Sequence, residues 1–250
     1  MKRITNRQHT EKMVRLNKFL ADAGVTSRRK ADEFISEGRV RVNNVTITEL
    51  GVKVDPANDK IFVDGNQVVC LDRRVYIVFN KPKDCITTLR DERGRPTVMD
   101  YVRVRERIFP VGRLDRNTTG VLLLTNDGEL AQGLMHPRFE VKKAYRITLD
   151  KPLAAEDADK LKKGIRLSDG MTKPAEIVFI PGGKNKVIGI IIHEGRNRQV
   201  HRMFEAIGYL IEKLDRVAYA DITHDDLARG GWREITKAEL NALRRLAGIG

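Results

Sequence analysis

The chain has 250 residues, with 47 Lys and Arg against 34 Asp and Glu and a formal net charge of +13; this excludes an acidic solvating protein and points to a polyanionic partner, because bases that neutralise phosphates release condensed counterions. At 41% hydrophobic and 32% charged, it carries enough apolar material for a buried core in each of one or two domains and too much for a disordered tail. No apolar run approaches the roughly 20 residues that span a bilayer, no signal-peptide stretch opens the chain, and Cys70 and Cys85 alone make neither a disulfide framework nor a zinc cluster, so a soluble protein of the reducing cytoplasm is expected.

Taken in chain order, Leu16, Phe19, Leu20 and Ala23 follow the spacing of an amphipathic helix, and Gly24 is placed to end it. Thr26 and Ser27 are N-cap residues for a second helix that carries Ala31, Phe34 and Ile35 and closes at Gly38. Arg39 to Val42 and Val45 to Ile47 flank an Asn43-Asn44 turn, and Ile61 to Val63 meets an Asp64-Gly65 turn, which predicts a small sheet. Residues 1–45 hold 11 bases and 5 acids. Arg28, Arg29 and Lys30 fall in the first turn of the second helix, where positive charge opposes the helix dipole unless a phosphate binds there. With Arg15, Lys18, Arg39 and Arg41 they form the predicted RNA-binding set. The stretch VRLNKFLADAGVTSRRKADEFISEGRVRVNN resembles the small αL RNA-binding domain first described in a ribosomal small-subunit protein, in its order helix, Ser-Arg-Arg, helix, Gly-x-Val-x-Val-Asn.

From Val75 the pattern changes to strands: Val75 to Asn80, stopped by Pro82, then Phe109 to Val111, Val121 to Thr125, Ala144 to Leu149, Ala175 to Ile180 and Val187 to His193. A Pro-Gly-Gly tip at 181–183 joins the last two as a hairpin. Helices are predicted over Ala155 to Lys163, Arg196 to Ile207 and Lys237 to Leu246, the last opened by the capping box Thr236-x-x-Glu239. Hairpin-connected strands with scattered helices predict an α+β fold built on a mainly antiparallel sheet. The expected division is a domain over residues 1–74, including a basic N-terminal extension, and a second over 75–250.

There is no G-x-x-x-x-G-K-[ST] loop and no G-x-G-x-x-G, and His193-Glu194 lacks the second His of a zinc-protease helix, so neither cofactor nor metal is expected. The motif to explain is VGRLDRNTTGVLLLTNDGEL at 111–130. Asp115 lies between Arg113 and Arg116 in a loop that leads into a buried apolar strand, and nearby arginines keep a carboxylate ionised. Such an Asp is either the cap of a turn or a nucleophile or general base held on a rigid strand end.

The run GRLD-x-x-T-x-G-x-LLL-T-N-D-G, unbroken from Gly112 to Gly128, resembles the signature of the pseudouridine synthases that modify ribosomal RNA. Asn80-Lys81-Pro82, Lys143-Ala144-Tyr145-Arg146-Ile147, Glu194-Gly195-Arg196-Asn197-Arg198-Gln199-Val200, Leu214-x-Arg216-Val217 and Gly231-Trp232-Arg233 resemble further landmarks of that family in the expected order. The resemblance implies isomerisation of uridine to pseudouridine without cofactor or metal. Asp115 is then the nucleophile, at the anomeric carbon or uracil carbon 6, or acts after glycal formation, on a base taken out of its stack. Tyr145 is implied to stack on the uracil or move a proton, and Arg113, Arg116, Thr119, Arg196, Arg198, Arg202 and Leu214 to hold the substrate.

One departure matters. The family usually has Arg or Lys after Gln-Val, paired with the catalytic carboxylate, and this chain has His201 followed by Arg202. With Val200, Met203, Phe204 and Ile207 turned inward, position 201 lies on the flank of the helix and position 202 opposite the apolar face, so His201 is expected to be the partner, with a pKa raised by Asp115. Arg198 or Arg202 reaching in is the alternative. The expected protein is a cytoplasmic, monomeric enzyme acting on ribosomal RNA, free or in assembling subunits, and not on membranes. Arg93-Gly94-Arg95-Pro96-Thr97-Val98 looks most like the branch acting on large-subunit RNA. The rivals are a non-catalytic ribosome assembly factor and a DNA-binding regulator. The intact Asp115 and Tyr145 argue against the first, and bases gathered at helix starts argue against the second.

Overall fold

A computed structural model describes residues 13–69 and 73–249; the N-terminal extension up to residue 12 and Cys70, both named among the sequence features, lie outside the described residues. The chain divides into two compact units, one ending at Arg73 and one starting at Arg74.

In the first unit β1 (Val14–Arg15) runs into α1 (Leu16–Asp22), followed by α2 (Arg28–Ser36), β2 (Val40–Val42), β3 (Val45–Ile47), β4 (Lys53–Val54), β5 (Ile61–Val63) and β6 (Asn66–Gln67). Ser27 caps α2, its Oγ accepting from the Lys30 backbone N–H at 3.2 Å. The strands β3-β2-β5-β6 form one antiparallel sheet, and β1 pairs with β4. Both tight turns put their central residues in the left-handed region, Asn43 and Asn44 at φ 49 and 70, Asp64 and Gly65 at φ 49 and 81, the geometry that suits the twist of a two-residue hairpin. Leu16, Leu20, Ala31, Ile35 and Val40 are fully buried between the helices and this sheet.

The second unit contains β7 (Tyr76–Lys81), β8 (Phe109–Pro110), β9 (Thr119–Thr125), α3 (Gly128–Met135), β10 (Lys143–Leu149), α4 (Ala155–Lys163), β11 (Arg166–Leu167), β12 (Gly170–Met171), β13 (Glu176–Phe179), β14 (Val187–Ile192), α5 (Gln199–Glu205), β15 (Ile211–Tyr219), β16 (Ile222–Thr223), β17 (Trp232–Glu234) and α6 (Lys237–Leu246). Its sheet runs β13-β14-β10-β15-β9-β7-β17, with β8 on β9 and β16 on β15. Every pairing is antiparallel except β15 with β9, which is parallel and only two rungs long, Asp215 opposite Thr119 and Arg216 opposite Gly120. The fold is α+β with a mainly antiparallel mixed sheet.

Ile77, Phe79, Leu122 and Leu124 join Ile147, Ile188 and Ile190 on one face, against Met203 and Phe204 of α5. Val78, Val121 and Leu123 face the other way, under α3 and α6. Burial on both faces explains why β7 and β9 read as continuous apolar runs. The Thr236–Glu239 capping box opens α6 as expected. Among the strands that escape the sequence pattern are β15 and β17. In β15, Glu212, Lys213, Asp215 and Arg216 break the apolar alternation although Arg216 is buried, and β17 is only three residues long. The helix expected over 196–207 begins three residues later, because Arg198 is left-handed (φ 45, ψ 33) and belongs to a loop.

At the parallel rungs Gly120 has φ 103, and a Cβ there would lie 2.2 Å from the Arg216 carbonyl oxygen. Gly120→Ala is therefore expected to destabilise the second unit by about 3 kcal/mol or more. Denaturant unfolding followed by the emission of Trp232, the single tryptophan of the chain and part of that unit, measures it.

Candidate active site

The loop 112–118 enters β9 and carries Asp115, whose side chain is 43% exposed. A buried cation fixes its backbone. Lys81 ends the apolar strand β7 with no exposed surface, and its Nζ donates to the carbonyl oxygens of Pro82, Asp115 and Arg116, each at 3.1 Å, and of Thr118 at 2.9 Å. Burial pushes the Lys81 ammonium down to about 8 against the pull of neighbouring Asp115 and Asp84. Thr87 fastens the other flank, its Oγ1 donating to Leu114 O at 2.7 Å and accepting from Leu114 N at 3.2 Å. The carboxylate thus projects from a loop held along its backbone.

Asp115 opens onto a cavity of about 450 Å³ whose wall includes Arg113, Tyr145, Arg198, His201 and Leu214, a size suited to a small-molecule or nucleotide fragment. Tyr145 projects from β10 and is 8% exposed. Arg198 is the cation nearest Asp115, with Nη1 at 3.9 Å from Oδ2, and its Nη2 lies 3.6 Å from Glu205. Its left-handed backbone turns the side chain out of α5.

His201 lines the same cavity, but burial and then the Arg198 charge lower its pKa, outweighing Asp115 and Glu205. This corrects the expected direction, because the pull of the neighbouring carboxylate is outweighed. Arg202 is turned away and bonded to Asp169 at 2.9 Å, so it does not meet Asp115. Arg196 borders the cavity, yet its guanidinium is spent on Glu194 at 3.2 Å, Asp169, and the carbonyls of Gly170 and Met171; it ties the 194–198 loop to the β11–β12 hairpin. Arg116 pairs with Asp84 at 3.1 Å outside the cavity, and Thr119 donates to Asp215 at 2.7 Å in a neighbouring recess.

Sequence reasoning gave no site role to Lys81, Lys143 and Arg216, which it quoted only within the family landmarks; the last two are also part of the cavity wall. The signal was present for Lys81, a lone cation closing an apolar strand, and for Lys143, two residues before Tyr145 on one face of β10. Among the described residues no group of His, Cys, Asp and Glu is arranged to hold a metal, and no helix is long and apolar enough to cross a membrane. Cys85 is buried and free.

Residues 75–206 match the family model described as RNA pseudouridylate synthase, and residues 14–61 match that of the S4 domain. The chain is 47% identical over 242 residues to ribosomal large subunit pseudouridine synthase B of Bacillus subtilis, covering 95% of this chain and 98% of that one. It is 44% identical to an uncharacterized RNA pseudouridine synthase of Aquifex aeolicus, with 94% and 96% covered. A crystal structure of a pseudouridylate synthase superposes with a TM-score of 0.68 at 28% identity, over 92% of this chain and 99% of that one.

Replacing Lys81 leaves four inward carbonyls without their donor. Lys81→Met is expected to cost about 3 kcal/mol or more, and amide hydrogen exchange over 115–118 should speed up by more than the global loss of stability accounts for.

Proposed function

The chain belongs to the RNA pseudouridine synthase family, and we propose that it isomerises a specific uridine to pseudouridine in ribosomal RNA, that of the large subunit. The observation that carries this reading is the Asp115 carboxylate, anchored through its own backbone, open to a nucleotide-sized cavity and faced by Tyr145 and Arg198. The names of the relatives from Bacillus subtilis and Aquifex aeolicus support the substrate class. The reaction is an internal rearrangement: the bond from the ribose to uracil nitrogen 1 breaks, the uracil turns, and carbon 5 takes its place, so no redox or group-transfer partner enters. The target nucleotide leaves its stack to reach Asp115.

Asp115 is the nucleophile in this reading, and Arg198 pairs with it in the role expected of His201. Tyr145 offers its ring to the uracil as a stacking surface. The S4 unit grips the RNA. Its Arg15, Arg28 and Arg29 are exposed and without an acidic partner among the described residues, whereas Lys18, Lys30 and Arg39 lie against Asp22, Glu33 and Asp64. Arg41 donates to Asn44 at 3.0 Å. The enzyme works in the cytoplasm as a monomer, on free RNA or assembling subunits.

Asp115→Asn should reduce pseudouridine formation in transcribed large-subunit RNA to background while leaving RNA affinity intact; persisting turnover would remove Asp115 from the chemistry. Arg198→Ala should slow single turnover roughly tenfold or more and His201→Ala less, with the wild-type rate steady as pH rises through 6.5, the ordinary value of histidine. The reverse order of the two variants would return the pairing role to His201.

Removing residues 1–73 should leave the second unit folded on its own two cores. Affinity for the RNA should fall, and the slope of log affinity against log salt should become shallower by about 0.7 to 0.9 for each phosphate that the S4 unit neutralises. An unchanged slope would show that this unit touches no phosphate.

A further inference from the structure

Lys143 and Arg216 border the Asp115 cavity, and among the described residues neither is bonded to a carboxylate. Lys143 Nζ donates to Val141 O at 2.8 Å, which leaves two N–H groups. Arg216 is 3% exposed; its Nε donates to Val121 O at 2.7 Å, and its buried Nη2 has no partner. Both cations approach one ring, that of Tyr219, with Nζ at 5.5 Å and the guanidinium carbon at 5.1 Å from the centroid. Glu194, the acid whose charge acts on Lys143, is engaged by Arg196 and Gln199. Burial, then repulsion from Arg216, drives the Lys143 ammonium down to about 8. Two uncompensated cations in one partly dry place are costly, and cation–π contact returns only a small part of that cost. The arrangement suits a site where negative charge arrives from outside.

The register shows which charge. Arg216 lies directly across from Tyr145 in the β10–β15 ladder, so a uracil stacked on Tyr145 stands beside the cation pair and within the same cavity as Asp115. We propose that Lys143, backed by Arg216, stabilises the negative charge that the uracil carries once its bond to the ribose has broken. In that step the ribose C1′–N1 bond breaks and its electron pair leaves with the uracil, delocalised toward O2 and O4. On the ribose side the Asp115 carboxylate bonds C1′ as N1 leaves; after the ring turns, C5 displaces that carboxylate from C1′, and C5 then gives up its proton to solvent while N1 takes one from it, so atoms and charge balance without a further reactant. Lys143 makes the contact with the ring oxygen; Arg216, locked in the sheet, contributes its field from behind. Preorganised positive charge in a water-poor site is the arrangement that most lowers the barrier for a charge that develops only during reaction. The inference rests on the pseudouridine synthase reading of this cavity.

The test uses the full chain, transcribed large-subunit RNA, and the variants Lys143→Met and Lys143→Arg. Lys143→Met should lower the single-turnover rate about a hundredfold with RNA affinity within about threefold, and Lys143→Arg should restore most of the rate. The discriminating arm is RNA transcribed with 5-fluorouridine, whose ring anion is stabilised by the fluorine itself; rearrangement of the base is read by nuclease digestion and mass spectrometry. There the deficit of Lys143→Met should shrink. An equal deficit on both RNAs, an unchanged rate, or a loss confined to affinity, as for a cation that holds a backbone phosphate, overturns the inference while leaving the assigned reaction standing. Absence of pseudouridine with the unsubstituted protein would instead overturn the reaction itself, and the inference with it.

Discussion

The Lys81 ammonium has no exposed surface and is ringed by four carbonyl oxygens, three of them from the loop that bears Asp115. An ammonium has three protons to give, so four acceptors saturate it and each is held by a charged donor. The consequence is geometric. A carboxylate on an unsupported loop would sample many positions, but here the peptide groups after it are pinned to Lys81 of β7, which is buried on both faces, and the one before it to Thr87. The carboxylate itself stays partly in water, while its backbone is held from the dry side.

The sheet adds a second constraint. On either side of the Thr119–Gly120 rungs β9 and β15 have no further partners in common, so the site lies where the sheet parts. Only glycine permits the approach at that point, with the Arg216 carbonyl where a side chain would begin. Arg216 itself reaches across to Val121 O, so the residue that would crowd any side chain at position 120 also bonds the two strands together. The wall of the cavity carries Arg113, Lys143, Arg196, Arg198 and Arg216 against Asp115 and Glu194, a balance suited to a substrate that brings its own negative charge.

Features with local causes were legible in the sequence. Caps such as Ser27 and the Thr236–Glu239 pair, the two left-handed hairpin turns, and the apolar runs of β7 and β9 each follow from a few neighbouring residues. Features that depend on tertiary surroundings were not. The strand β15 hides behind charged residues because Arg216 is buried by a carbonyl partner and an aromatic ring, the carbonyl far off in sequence. Arg198 escaped the helix expected for it because its left-handed backbone leaves no periodic trace. The His201 pKa was misjudged for a related reason: the carboxylate opposite was foreseen from the motif, whereas burial and the Arg198 charge come from packing. The Asp115 motif itself was recognisable as a resemblance, but what the lysine closing β7 holds was visible only once β7 and the loop lay side by side.

The sheet order places β17 against β7, so the outer partner of the first strand of the second unit is supplied by Trp232–Glu234, near the chain's end. The helix α6 follows and covers the same strands, and Arg244 donates to the Tyr76 hydroxyl at 3.2 Å. During synthesis β7 must wait for nearly the whole of this unit to be made before that edge is filled, a pairing of high sequence separation and therefore slow to form. The S4 unit has no such dependence and can fold as soon as it leaves the ribosome. A chain still being translated thus displays a finished RNA-gripping unit ahead of an unfinished active site, so its birth order separates the capacity to hold RNA from the capacity to alter it.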